Sequence, residues 1–486
     1  MIDYFTADSI RAAEVATGDL LVRGVLMGRA ARAVADVVAA ELVSRSGGCY
    51  GRKVGVLAGA GDNGADALFA GALLRRRGVD VRAVLLSGDR THASGLAAFR
   101  GAGGRITDSF SRDVDVVIDG IVGLSGSGPL RPEAARIVGE LTAPIVAVDI
   151  PSGVDADTGQ VNDPAVRAAV TVTFGEYRVA HVLAAPQCGR IVLAAIGIEA
   201  HRPALRQLSN AEVAAMWPVP GPSDDKYSQG VVGVVAGSAR YPGAGVLCSG
   251  AAVAATSGMV RYVGTAAPQV LSHFPEVVAS DEPEKTGKVQ AWVIGPGAGT
   301  DDTGIRRLRH VMDTDLPVLV DADGLTLLAT HRELLTTRSA PTLITPHAGE
   351  FARITGQPPG VDRIAAVKDL AAELGATVLL KGRATLIADP SGQVLVNDAG
   401  SSWAATAGAG DVLSGIAGSL LAAGLEPSFA AAAAARVHAL AATAASAGGP
   451  NHGGGNAPIG ASALMAAVSP TLRALLGGLE CDNGGR

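Results

Sequence analysis

A chain of 486 residues is too long for one ordinary hydrophobic core, and with 48% apolar residues it has material for two. A formal net charge of -6 with no basic run excludes a nucleic-acid footprint, so no nucleic-acid partner is expected. Four widely spaced cysteines (Cys49, Cys188, Cys248, Cys481) exclude a disulfide framework and a zinc knuckle, and fit a reducing compartment.

The N-terminal stretch MIDYFTADSIRAAE carries acids where a secretory leader carries bases and an apolar block, so a cytoplasmic location is expected. Residues 9–43 read as one long amphipathic region. Between residues 53 and 196 come short apolar runs separated by helical stretches: KVGVLAG, VRAVLL, VDVVIDG, PIVAVDI, VTVTF and IVLAAI. That alternation predicts a parallel sheet covered on both faces. MWPVPGPSDDKYSQG then breaks every period with three prolines and two glycines, which puts a linker near residues 205–225. Two domains are expected, residues 1–210 and 211–486. Residues 242–260 are uncharged over a membrane-spanning length. Their Gly, Ala, Ser and Thr content predicts a tightly packed internal helix, with no membrane partner. A second α/β series follows, VVGVVAG, AWVIGPG, PVLVDADG, TLIT, TVLLKG, ATLIAD and QVLVN, with an antiparallel hairpin around residues 378–396 and Ala-rich helices after it.

In the first half, VGVLAGAGDNGADALF is strand, glycine loop, helix. Gly59, Gly61 and Gly64 satisfy the pattern that lets a pyrophosphate rest on a helix N-terminus, though a simple tight turn uses the same glycines. Asp62, Asn63 and Asp66 add polar oxygens, which suit a cation or ribose hydroxyls better than phosphate. Asp119 and Asp149 each end a strand, one before the glycine loop 123–128 and one before a Pro-Ser-Gly turn. A single strand-end Asp usually caps a turn, but three such loops at the carboxyl edge of one sheet point to a ligand. GAGDNGAD, DGIVGLSGSGPLRP and VDIPSGVDADTG together resemble the NAD(P)H-hydrate epimerase family, whose Rossmann-like domain binds a hydrated nicotinamide nucleotide and K+. The resemblance implies nucleotide contacts at Asp62, Asn63, Gly64, Ala65 and Asp66, at Gly123, Leu124, Ser125, Gly126, Ser127, Gly128 and Pro129, and at Asp149. It implies K+ ligation by Asn63, Asp119 and Ser152. This chain departs from the family's first loop at Asp62, Ala65 and Ala67; the methyl groups of the two alanines reduce clearance and disfavour a positive φ.

In the second half, SSWAATAGAGDVLSGIAGSLLAAG places Asp411 among tiny residues at the head of an apolar helix. It serves either as a helix cap or as a carboxylate at the lip of a phosphate cradle. Likewise His347 at a strand end can be structural, and Lys381 a solvated turn lysine. TPHAGEF, LLKG and AGAGDVLSG taken together resemble the ADP- or ATP-dependent NAD(P)H-hydrate dehydratase family, over nearly all of residues 225–470. That implies a ribokinase-like fold, with Gly408, Ala409 and Gly410 as an anion hole and Asp411 as the base. Ala409 stands where Thr or Ser is common in the family. It also implies that Ala244, Gly297, His347 and Asp411 face the hydrated nucleotide, and that Lys381, Gly382, Arg383, Ala384, Thr385 and Gly410 face the adenine nucleotide. Bacterial members of the two families are commonly fused, and the whole resembles a bifunctional NAD(P)H-hydrate repair enzyme. The implied chain is α/β throughout, an N-terminal Rossmann-like three-layer domain and a C-terminal ribokinase-like α/β domain.

The chemistry asks for these residue types. Hydroxide is a poor leaving group, so phosphorylating the hydroxyl of the damaged ring turns it into departing phosphate. That step needs a base, donors for the moving phosphoryl oxygens, and Mg2+. Asp411 and the amides of 408–410 meet the first two needs, with ADP as the implied donor. Hydration creates R and S epimers, so an epimerase on the same chain makes sense, and Asp149 is its candidate acid–base group. Small-molecule substrates (hydrated NADH and NADPH, and ADP) and a homo-oligomer are expected. The rival reading is a vitamin or sugar kinase with a non-catalytic nucleotide-binding N-terminal module.

Overall fold

The structure, a computed structural model, describes residues 1–256, 258–336, 338–448 and 455–483. The chain divides into two compact units, Asp3–Leu205 and Met1–Ile2 with Arg206–Arg486. No helix among the described residues is long and apolar enough to cross a membrane.

The first unit is built on a sheet in which every pairing is parallel. Its spatial order is Arg105–Ile106, Asp80–Leu85, Lys53–Ala58, Val116–Gly120, Ile145–Val148, Val170–Phe174, Arg190–Ala194. From Lys53–Ala58 the chain winds first to one side and then, from Val116–Gly120, to the other. The carboxyl ends of those two strands therefore bound a crevice of the kind where open α/β sheets bind ligands. Val34, Val38, Val56, Leu68, Leu74 and Ile118 are among the residues that bury one face of this sheet against helices. Residues 9–43 do not form a single helix. Gly18 (φ 55°) and Gly24 (φ 69°) interrupt them, leaving Ala7–Ala16, Asp19–Val22 and Val25–Ser46, because these left-handed positions end one helical run before the next begins.

In the second unit the parallel order is Val278–Ser280, Met259–Val263, Val231–Val235, Ala291–Ile294, Val318–Val320, Thr342–Ile344, Thr377–Leu380. The antiparallel strands Ala384–Ala388 and Val394–Asp398 extend it, as the hairpin reading expects. The uncharged stretch at 242–260 becomes the helix Pro242–Ala255, packed in the core, and then enters the strand Met259–Val263. Here too the order reverses, between Val231–Val235 and Ala291–Ile294.

Candidate functional sites

In the first unit a cavity of about 460 Å3 opens at the carboxyl ends of the central strands. Its wall includes Gly59, Gly61, Asn63, Gly64, Gly123, Ser125, Gly126, Ser127, Gly128, Pro129 and Ser152, so the three acid-bearing loops read from the sequence meet at one place. The first glycine turn is sterically compulsory. A Cβ on Gly59 would collide with Ile121 O, and one on Gly64 with Gly59 O. Arg90 and Arg131, which the sequence reading passed over, add positive charge to the wall, a feature suited to phosphate.

Asp62, Ala65, Asp66 and Leu124 lie outside that wall. Asp62 opens the helix Asp62–Arg76 and is exposed. Ala65 is buried inside the same helix, Ala67 packs against Gly120, and neither has a positive φ, so their methyl groups cost the turn nothing. Leu124 packs against apolar clusters with Ile150 and Ile10. Asp66 is buried with Oδ1 unpartnered; burial and the nearby Asp62, Asp149 and Glu14 carboxylates push its carboxyl well above the usual range.

Beneath the cavity, Asp119 is fully buried and accepts from Ser152 Oγ (2.7 Å), Ser152 N (2.9 Å) and Ile121 N (3.1 Å). Burial raises its carboxyl above the usual carboxylate range, with those hydrogen bonds opposing. Asn63 Nδ2 donates to Val148 O (2.6 Å), which leaves Oδ1 beside Gly123. Asn63 Nδ2 and Ser152 Oγ both approach the Val122 carbonyl, at 3.4 and 3.5 Å, so Asn63, Asp119 and Ser152 lie close together, and their side-chain oxygens are of the type that hard, non-transition cations prefer.

Asp149 sits off the cavity wall, one residue before it. Its φ is 66°, a strained backbone for a residue other than glycine. The carboxylate is locked in a buried ion pair with Arg178 (3.0 Å) and accepts from Thr173 Oγ1 (2.9 Å). His181 Nε2 holds its carbonyl at 2.8 Å.

In the second unit the helix Ala409–Ala422 begins at Gly408, whose φ of 85° turns the chain into it. Asp411 lies in the first turn. Burial pushes its carboxyl up to about 7, helped by the Asp321 charge and opposed by Lys381. Beside it Lys381 Nζ donates to Asp321 Oδ1 at 2.5 Å and lies 4.0 Å from Glu350. Ser414 Oγ donates to the other Asp321 oxygen at 2.7 Å. Asp321 escaped the sequence reading, although PVLVDADG places it at a strand end just as Asp119 and Asp149 are placed. It precedes Ala322, which is held at φ 49°.

His347 caps the helix Ala348–Thr355, accepting from Gly349 N at 2.9 Å, while Glu350 Oε2 accepts from His347 N at 2.9 Å. Its ring is otherwise exposed near Glu350, with Nε2 at 3.6 Å from Oε1. Gly297 (φ 59°) approaches Ala244 so closely that a Cβ would come within 2.8 Å of the Ala244 Cβ. A cavity of about 310 Å3 is lined by Lys381, Gly382, Arg383, Thr385, Asn397 and Gly410, among others. Ala384 is absent from its wall, because strand alternation turns that side chain into the core. His438, unforeseen, lines this cavity and donates from Nε2 to Ala409 O at 2.9 Å, bracing the loop. Burial lowers the His438 ring to about 4, so it is neutral at physiological pH.

Two family profiles match the chain, NAD(P)H-hydrate dehydratase over residues 232–451 and YjeF-related protein N-terminus over residues 23–180. A bifunctional NAD(P)H-hydrate repair enzyme of Mycobacterium tuberculosis is 58% identical over 89% of this chain and 92% of its own length. The Mycobacterium leprae enzyme of the same name is 56% identical over 98% of this chain and 100% of its own. Among solved structures, an ADP/ATP-dependent NAD(P)H-hydrate dehydratase from Bacillus subtilis, co-crystallized with ATP/Mg2+, superposes with a TM-score of 0.50 at 26% identity. It covers 56% of this chain and 99% of its own, which gives the second unit a ribokinase-like fold. With both halves matched in one chain, the protein belongs to the family of bifunctional NAD(P)H-hydrate repair enzymes.

Proposed function

We propose that the chain repairs hydrated NADH and NADPH, interconverting the R and S hydrates in its first unit and dehydrating the S hydrate with ADP in its second. The observation that carries this is Asp411, a carboxyl lifted to about 7 at the mouth of a glycine-turned helix N-terminus, next to Lys381. A base with an affinity matched to neutral pH is effective in proton transfer. The Asp411 carboxylate takes the hydroxyl proton as that oxygen bonds to the terminal phosphorus of ADP, and AMP leaves as the phosphorus–bridging oxygen bond breaks. The ring nitrogen lone pair then expels phosphate with its oxygen, and a proton lost from the adjacent carbon restores the reduced ring. Backbone amides at 408–410 and Lys381 stabilise the phosphoryl oxygens; losing one such donor typically costs about 2.7 to 4 kcal/mol of barrier. Mg2+, when bound, would supply charge neutralisation to the phosphates; Glu350, 4.0 Å from Lys381, is the carboxylate proposed to hold it, both Asp321 oxygens being held already by Lys381 and Ser414. Ala244, Gly297 and His347 are proposed to face the hydrated nucleotide, and Lys381, Gly382, Arg383, Thr385 and Gly410 the ADP, with Ala384 behind them in the core.

In the first unit the 460 Å3 cavity is proposed to take the hydrated nucleotide through the glycine turn and helix start at 59–64 and the loop 123–129, with Asn63, Asp119 and Ser152 as the K+ ligands. Asp149 is the proposed acid–base group for reversible opening of the hemiaminal. The enzyme is proposed to work in the cytoplasm as a homo-oligomer. Incubating the protein with mixed hydrate epimers and ADP, ATP or neither tests the reading. Both epimers are consumed with ADP, and reduced-nicotinamide absorbance and free phosphate appear together. Phosphate retained on a product without that absorbance makes the protein a kinase instead.

A further inference from the structure

We infer that Arg90, helped by Ser87, grips the 2′-phosphate on the adenosine ribose of hydrated NADPH, so that the first site favours the NADPH hydrate over the NADH hydrate; this rests on the nucleotide reading of the 460 Å3 cavity. The direction of the bound nucleotide follows from where its reacting ring goes. Asp119 lies at the end of Val116–Gly120 and Asp149 directly follows Ile145–Val148, both on one side of the crevice. The glycine turn stands between the two sides, and the helix Asp62–Arg76 offers its N-terminus to the pyrophosphate. With the ring on the Asp119 side, the adenosine half extends to the other, over the end of Asp80–Leu85, which pairs with Lys53–Ala58.

That end of the sheet suits an anion. A carboxylate at the tip of such a strand accepts from the ribose hydroxyls and repels a phosphate, whereas an arginine accommodates one. Here Leu86 and Ser87 follow the strand and line the wall, and Asp89 lies off it. A single tight turn, Gly88–Arg90, comes next, pinned by Arg90 N donating to Ser87 O at 3.1 Å and Thr91 Oγ1 to Gly88 O at 2.8 Å. It delivers Arg90 to the wall. Arg75, Arg77 and Arg82, close by in sequence, are each paired with an aspartate. The Arg90 guanidinium is exposed and has neither an ion pair nor a side-chain hydrogen bond among the described residues. Arg131 and Glu133 also line the cavity, but they belong to the start of the helix Pro132–Glu140, reached from Val116–Gly120 on the Asp119 side. Arg90 is therefore the cation placed for the adenosine end. A guanidinium makes two parallel bonds to a phosphate, and the Ser87 hydroxyl supplies a further donor.

The test is R-to-S exchange by the full chain without ADP, so that only the first site turns over, followed by chromatography above the spontaneous rate. The NADPH hydrate should show a kcat/KM at least about tenfold above that of the NADH hydrate, with the difference in KM. High salt should narrow the margin, since the guanidinium is exposed. In Arg90→Gln the ratio should fall to about twofold or less, chiefly through a higher KM for the NADPH hydrate. The ratio in the unaltered protein and its salt dependence are read without any variant. Equal kcat/KM for the two hydrates in the unaltered protein, or an unchanged ratio in Arg90→Gln, overturns the inference. Failure of the epimerase reading looks different: neither hydrate exchanges, yet calorimetric titration still shows NADP+ binding more tightly than NAD+, and Arg90→Gln loses that preference.

Discussion

Asp149 in the first unit and Asp411 in the second both stand beside small-residue loops, but only Asp149 has a cation in contact. Arg178 at 3.0 Å and the Thr173 hydroxyl occupy the Asp149 carboxylate, whereas Asp411 has Asp321 for a near neighbour and Lys381 drawn to Asp321 instead. The difference teaches that burial alone does not decide what a carboxyl does. A buried acid with its own arginine remains a structural charge unless a ligand competes for the pair. A buried acid whose cation belongs to another acid becomes a titrating group.

Removing each charge breaks that comparison most directly. Asp411→Asn should lower dehydration about 100- to 10,000-fold while leaving the fold intact, as steady-state rates and circular dichroism would show. It should also stabilise the protein. The folded value near 7 lies above the ordinary 3.8, so the neutral acid's favourable contribution is full below pH 3.8 and is lost as pH rises through 7. The melting temperature of the variant should therefore pull ahead of the parent between these limits and stay ahead, by a constant margin, above them.

Asp149→Asn should do the opposite to stability. It strands Arg178 in the core, and denaturant titration should show a loss of about 3 to 5 kcal/mol, with R-to-S exchange abolished by chromatography. Unchanged exchange would remove Asp149 from the epimerisation. A pH profile sharpens the contrast with the smallest effect. Dehydration kcat/KM should fall about tenfold per unit below pH 7, as Asp411 gains its proton, and the residual rate of Asp411→Asn should lack that limb.

Much of the architecture was legible in the sequence because buried parallel strands read as unbroken apolar runs, and each of the six in the first half became a strand. Short strands such as Ile2–Phe5 and Tyr177–Arg178 escaped, being too brief to show a period. The glycine turns were legible because steric demand leaves few residue choices. Asp321 was not singled out, since its role comes from Lys381, 60 residues further on, and from Ser414. Arg90, Arg131 and His438 were missed for the same reason, as their positions on a wall follow from tertiary placement rather than local pattern. Ala65 and Ala67 raised a conflict only while the loop was imagined to extend through them; the helix starts earlier, at Asp62.

Gly415 has a consequence for how the second site moves. A Cβ there would collide with the Cys248 carbonyl oxygen, and one on Gly408 would come within 2.6 Å of Leu247, so the helices Ala409–Ala422 and Pro242–Ala255 meet almost backbone to backbone. The first carries the acid and the second carries Ala244. Such a seam leaves no slack for one helix to slide without the other, so the distance from Asp411 to the Ala244 wall is set when the chain folds rather than when the substrate arrives.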